Sequence, residues 1–244
     1  MTNPRETNRA GERGFTLIEL LVVITIMAVL AALIFPAFGA VKRRATISKA
    51  QTELQEIRTA IELYKDKLGF FPPDNPGLPA LNPLYYELLG TAQIDATTFE
   101  TLDKTARMTV VGFVRAFSGL DTNNNVVPSG VSGFINCTRA AGDEAVPAKS
   151  FLRSLKPGQY AVGRNNGVEV RLLTCTVPWP NNLPPVLSTF VPDEASVKPN
   201  PWRYNSSNPT NNPGSYDLWV DVIIRGKTNR ISNWSQQAQI VATP

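Results

Sequence analysis

The sequence predicts an α+β fold in which a long N-terminal helix packs, through its second half, on a small antiparallel β-sheet. Three observations lead there. Residues 15–68 keep a helical pattern that changes from wholly apolar to a single stripe, an Asn-Gly pair separates two β-rich runs, and Tyr216 to Ile224 alternates between faces.

Residues 1–14 form a polar leader carrying Arg5, Arg9 and Arg13 and ending on Gly14, and Phe15 opens the apolar run. No side chain from Leu20 to Val41 is charged, which is about the length a helix needs to cross a bilayer core. Glu19 stands alone at the edge of that run, where a carboxylate carries a desolvation cost unless something pairs with it. Residues 15–41 therefore read as one apolar helix. Pro36 is expected to kink or locally melt it, since proline removes a backbone donor and crowds the preceding turn. An ordinary secretory signal ending near Ala37-Phe38-Gly39, or a plain single-pass anchor, also shows a positive leader and an apolar core. Neither accounts for Gly14 directly before the hydrophobic onset, nor for Glu19.

Helical periodicity continues over residues 42–68. Ile47, Ala50, Leu54, Ile57, Ile61, Tyr64 and Leu68 recur at steps of three and four, one apolar stripe, while Glu53, Glu56, Arg58, Glu62 and Lys65 fall off it. Gly69 and Pro72 end the helix. Phe71 to Pro83 is a Pro/Gly/Asn loop. Short helices are expected at Pro83–Leu89, Ala96–Asp103 and Pro147–Leu155. Tyr160–Val162 and Val168–Val177 read as a hairpin about Asn166-Gly167. Pro178 to Pro213 reads as irregular chain with at most short edge pieces. In the last strand, Tyr216, Leu218, Val220 and Val222 share a face; Gly226 allows a turn, and Ile231 and Trp234 return to the core.

Composition narrows function. The chain has 244 residues and no histidine, which removes Ser-His-Asp and Cys-His nucleophiles and imidazole metal sites. No Gly-rich phosphate loop is present. Of the net +4, three cations lie in the leader and three at Lys42, Arg43 and Arg44, so the remainder is close to neutral and nothing points to nucleic acid. No catalytic residue and no cofactor are expected. Asp121-Thr122-Asn123-Asn124-Asn125 begins like a calcium loop, but Val126 stands where the turn glycine is needed and Ser132 where the bidentate Glu is needed; a solvated polar turn is the simpler reading.

The octapeptide Arg13-Gly14-Phe15-Thr16-Leu17-Ile18-Glu19-Leu20 resembles the class III signal of type IV pilins and type II secretion pseudopilins. Two later stretches resemble the major pseudopilin of type II secretion systems: Ala60–Lys65 leading to Gly69-Phe70-Phe71-Pro72 and Gly77-Leu78, and Asn200-Pro201-Trp202 with Tyr204, Gly214–Leu218 and Ile231-Ser232-Asn233-Trp234. The resemblance covers about residues 11–81 and 199–234 and leaves about 82–198 as a long central insertion. It implies a pilin-like fold, removal of the leader 1–14 by prepilin peptidase between Gly14 and Phe15, and methylation of the Phe15 amine. It further implies a transmembrane and then filament-core helix at 15–41, an amphipathic helix at 42–68, and an exported globular domain at 69–244. The implied partners are prepilin peptidase, other pseudopilins or pilins in a helical filament, the secretion inner-membrane platform, and membrane lipid before assembly. The implied location is the bacterial inner membrane, single-pass, with the globular domain in the periplasm or outside. Lys and Arg flank the apolar run almost equally, so the outward orientation comes from the resemblance alone. Glu19 then pairs with the Phe15 amine of an adjacent subunit.

The resemblance leaves three matters open. A membrane-tethered exported binding module with its ligand site in the insertion is the alternative function. An oxidising compartment allows a Cys137–Cys175 bridge, and two buried free thiols are the other reading. Relatives hold calcium after the Tyr-Asp-Leu strand, but here Ile224–Arg230 carries three cations and no carboxylate, so no metal is expected. Arg225 or Arg230 can fold onto Asp217 and Asp221, or all four can stay solvated.

Overall fold

A computed structural model describes residues 15–75, 77–117, 119–120, 126–127, 133–139, 147–179, 187, 189–194 and 198–242, without the side chains of 33–38, 40, 119–120 and 126–127. The chain divides into two compact units, Met1–Ala45 and Thr46–Pro244. Helix α1, Leu17–Leu68, continues through Pro36. Along its first stretch the apolar side chains from Phe15 to Leu30 are 41% to 82% exposed, on every side of the helix.

In the second unit the expected stripe is the packed one. Ala50, Leu54, Ile57, Ile61 and Tyr64 are buried, and Ile47 and Leu68 pack partly against the same core. Removing such side chains from water supplies roughly 1.5–3 kcal/mol each. Gly69, with φ +88°, ends the helix, and its N–H donates to the Lys65 carbonyl at 2.7 Å.

Helix α2, Leu84–Leu89, follows where a helix is expected, and every one of its residues is buried. The next region departs from expectation. Strands β1 (Thr91–Gln93), β2 (Thr98–Thr101) and β3 (Arg107–Thr109) form an antiparallel meander where residues 96–103 suggest a helix. The alternating burial of Thr98–Thr101, with Phe99 and Thr101 inside, fits a strand held between two neighbours. Helix α3, Val110–Phe117, was not signalled; its β-branched valines are poor local evidence for a helix.

The short strands β4 (Gly119–Leu120) and β5 (Val126–Val127) pair with each other, and β6 (Cys137–Thr138) joins the meander in parallel with β1. Residues 147–155 form no helix. Their backbone is committed elsewhere: Lys149 N–H donates to Asn136 Oδ1 at 3.0 Å and Phe151 N–H to the Leu88 carbonyl at 2.7 Å. Phe134 centres an aromatic cluster, with ring centroids 4.8 Å from Tyr86 and Phe113 and 5.3 Å from Phe99.

Strands β7 (Tyr160–Asn165) and β8 (Val168–Leu173) form the expected hairpin. Asn166 and Gly167 take φ values of +49° and +78°, the left-handed pair that a two-residue hairpin turn requires. Its asparagines also close α3: Asn165 Nδ2 donates to the Ala116 carbonyl at 2.8 Å and Asn166 Nδ2 to that of Arg115 at 3.0 Å. Strand β9 (Phe190–Pro192) flanks β7.

The C-terminal sheet is an antiparallel meander of β10 (Arg203–Asn205), β11 (Asp217–Ile224), β12 (Lys227–Ser232) and β13 (Ser235–Val241). Tyr216, Leu218, Val220, Val222 and Ile231 are buried in the core as the alternation predicts. Trp234 instead lies against Trp219, centroids 5.7 Å apart, on the other face of β11. Cys137 on β6 and Cys175, two residues beyond β8, are buried free thiols. Burial holds both thiols protonated, pushing their pKa values upward.

Candidate functional site

Gly14 lies outside the described residues, as do Asp121–Asn125. Phe15 is 80% exposed at the start of the helix. Glu19 is not idle in the isolated chain. Its Oε2 accepts the Thr16 N–H at 2.9 Å and the Thr16 hydroxyl at 2.7 Å, while the Glu19 N–H donates to Thr16 Oγ1 at 3.3 Å. This is a capping box, Thr-x-x-Glu, which satisfies amide groups that the first turn of any helix leaves without partners. The spacing of three residues, i to i+3, shows it in the sequence. The carboxylate thus sits one turn from the Phe15 backbone nitrogen, held by its own helix. Among the described residues, no helix is long and apolar enough to cross a membrane. The uncharged run continues through residues 33–38, whose side chains lie outside the described set.

In the second unit, carboxylates act as anchors. Glu53, expected off the packed stripe, is buried because it accepts from the Thr176 N–H at 2.9 Å and from the Thr176 hydroxyl. Glu87 on α2 is fully buried. It accepts from Ile135 N–H at 2.8 Å, Asn136 N–H at 2.9 Å and Tyr64 hydroxyl at 2.9 Å. Burial raises its pKa, and those three hydrogen bonds oppose the rise. One side chain therefore ties α1, α2 and the residue 135–136 segment together, a role that donors so distant in sequence conceal.

Asp217 is caged by the backbone N–H groups of Thr210, Asn211 and Asn212, each at 2.9 Å, and is not paired with arginine. Asp221 is the one that pairs. It faces Arg230 across β11 and β12 and accepts from its Nε at 2.8 Å and Nη2 at 3.0 Å. The pair raises the Arg230 pKa, chiefly through those hydrogen bonds. The described residues contain no group of three or more His, Cys, Asp or Glu side chains placed to hold a metal ion.

The later motif residues have structural work. Trp202 N–H donates to the Leu173 carbonyl at 3.0 Å, and Thr174 bridges Pro201, so Asn200-Pro201-Trp202 joins the C-terminal sheet to β8. Asn233 accepts from Leu218 N–H at 2.9 Å and donates to the Tyr216 carbonyl at 2.8 Å, locking the β12 end onto the start of β11.

Phe15 at the head of the apolar stretch, with Glu19 five positions in, is the feature that the comparisons with known proteins pick out. Residues 9–35 match the family model of the prokaryotic N-terminal methylation motif. The chain is also similar to type II secretion system core protein G. It is 39% identical over 70 residues to that of Escherichia coli (strain K12), covering 29% of this chain and 48% of the relative. It is 37% identical over 73 residues to that of Klebsiella michiganensis, covering 30% and 51%, and 36% identical over 73 residues to that of Pseudomonas aeruginosa, again covering 30% and 51%. The chain thus spans about half the length of the relatives it matches. No solved structure matches it significantly.

Proposed function

We propose that this chain is a structural subunit of a type II secretion pseudopilus or a related filament, processed after Gly14 and methylated on Phe15. The observation that carries the reading is the methylation-motif match over residues 9–35, joined to the similarity to core protein G. The uniformly apolar first stretch of α1 supports it, since a helix apolar all round needs lipid or other helices about it. In this reading residues 15–41 sit in the inner membrane before assembly and in the filament core afterwards, and residues 82–198 elaborate the exported surface. The partners are prepilin peptidase, the inner-membrane platform and further copies of filament subunits. Glu19 has a second task on assembly: it exchanges its bonds to Thr16 for the methylated amine of a neighbouring Phe15, desolvating both charges together and setting axial register.

The test is expression in a host carrying prepilin peptidase and the secretion platform. Wild type is expected in the sheared filament fraction. Glu19→Leu is expected to be inserted and cleaved normally yet missing from that fraction. Recovery of wild type only as a dispersed membrane protein, or of Glu19→Leu in filaments at wild-type level, overturns the reading.

A further inference from the structure

The C-terminal sheet carries a row of buried donors without acceptors. The β10–β11 register places Arg203 opposite Trp219, and the β11–β12 register places Trp219 opposite Ser232. Directly opposed residues put their Cβ atoms about 5 Å apart on one face, so these three side chains are neighbours. Arg203 Nη1, Trp219 Nε1 and Ser232 Oγ are all buried and have no hydrogen-bond partner. Arg203 as a whole is only 5% exposed.

The next row explains why Asp221 does not relieve Arg203. Both Asp221 oxygens are engaged by Arg230, at 2.8 and 3.0 Å, and the Arg230 guanidinium lies 5.8 Å from the Trp219 ring. Two guanidinium groups thus share one carboxylate. Burial weakens proton binding by Arg203, Asp221 opposes that effect, and Arg230 adds to it. Arginine does not escape by deprotonating in proteins, and a buried guanidinium with its Nη1 left unpaired is unfavourable. The remaining acceptor for Arg203 Nη1 has to come from outside the chain, as an anion or a water.

We propose that Arg203, Trp219 and Ser232 form a binding site for a small monovalent anion of the halide class. The residual charge of the two-arginine, one-aspartate cluster is a single positive unit, which matches a monovalent ion. Two of the partnerless groups are N–H donors and the third is a hydroxyl able to donate, a set that suits an anion better than a metal. The burial of Arg203 favours a small ion over a bulky one.

Iodide is the probe, because a halide lodged beside an indole quenches its fluorescence. The full-length chain in detergent micelles is titrated with potassium iodide against potassium gluconate at constant ionic strength. A saturable quenching component is expected above the linear collisional one, and added chloride should reverse it. The unfolding midpoint should rise in chloride relative to gluconate. Arg203→Met is expected to abolish the saturable component. Trp219→Phe is expected to remove the quenching signal and leave a reduced chloride effect on the midpoint. Glu100→Gln, which alters only a surface pair with Arg107, should behave as wild type. Strictly linear quenching of wild type, with identical midpoints in chloride and gluconate, overturns the site and leaves water as the acceptor. That comparison stands even where Arg203→Met does not fold.

Discussion

Helix α1 contains two stretches with one backbone geometry and opposite surroundings. From Phe15 to Leu30 the apolar side chains point to every side and remain at least 41% exposed. From Ile47 to Leu68 they form one stripe, and Ala50, Ile61 and Tyr64 are at most 2% exposed. A stripe is solved by the chain itself, since one face of a helix can be covered by a sheet. A helix apolar all round cannot be covered by one small domain, and its partner has to come from another molecule or from lipid. The side-chain bonds described in the first stretch are local ones, and the second is held by tertiary packing.

The comparison breaks most visibly under truncation of a large side chain. Ile61→Ala should destabilise the folded second unit by ~2–5 kcal/mol, whereas Leu21→Ala should change it by less than ~0.5 kcal/mol. Denaturant unfolding of both variants in detergent reads the difference, and equal effects would show that the two stretches are not distinct.

Glu87 gives the next largest effect. Glu87→Ala leaves the Ile135 and Asn136 amides without acceptors, at a cost of ~2–4 kcal/mol. Its raised pKa also has a sign. The folded state binds the Glu87 proton more tightly than the unfolded state, whose value is near ~4.3. The stabilisation is complete below that value and declines as pH rises through the folded value. Glu87→Gln, which mimics the protonated side chain, should flatten this part of the stability profile. An unchanged slope would assign the dependence to another group.

A smaller effect concerns Asp221. Asp221→Asn should cost ~1–2 kcal/mol, less than deletion of a fully buried ion pair, because the Arg230 side chain is 32% exposed and can turn to water. Arg230→Gln combined with it should recover part of that loss in a double-mutant cycle, and strict additivity would deny the coupling. The smallest is Thr16→Ala, which removes half of the capping box. It should cost ~1 kcal/mol of local helix stability. Faster amide exchange confined to the first turn of α1 should report it, with the second unit unaffected.

What could be read from sequence follows the same division. The stripe, the Asn166-Gly167 turn and the alternation of Tyr216–Ile224 are local periodicities or local turn chemistry, and all three stand where expected. The pairing of Asp221 with Arg230 is one of two readings that the sequence leaves open, and Asp217 is caught by backbone amides instead. The errors lie where distant segments decide. Within 96–103, Thr98–Thr101 form a strand because two neighbours pair with them, and 147–155 form no helix because Asn136 and Leu88 hold amides of that segment. Glu53 and Glu87 carry no sequence mark of burial, since their donors lie 123 and 48 or 49 residues away. The capping box differs from these. Thr16 and Glu19 stand at the spacing that announces it, hidden only because the acid so close to an apolar run invites an intermolecular explanation first.

The proposed processing makes Phe15 the first residue of the mature chain, two residues ahead of α1. Intact-mass and N-terminal peptide analysis of the chain from its native membrane tests this directly. The predicted result is a chain lacking residues 1–14 and starting at Phe15 with one added methyl group on its amine. A chain starting near Ala40, as an ordinary signal peptidase would leave it, or one still carrying the leader, would contradict it.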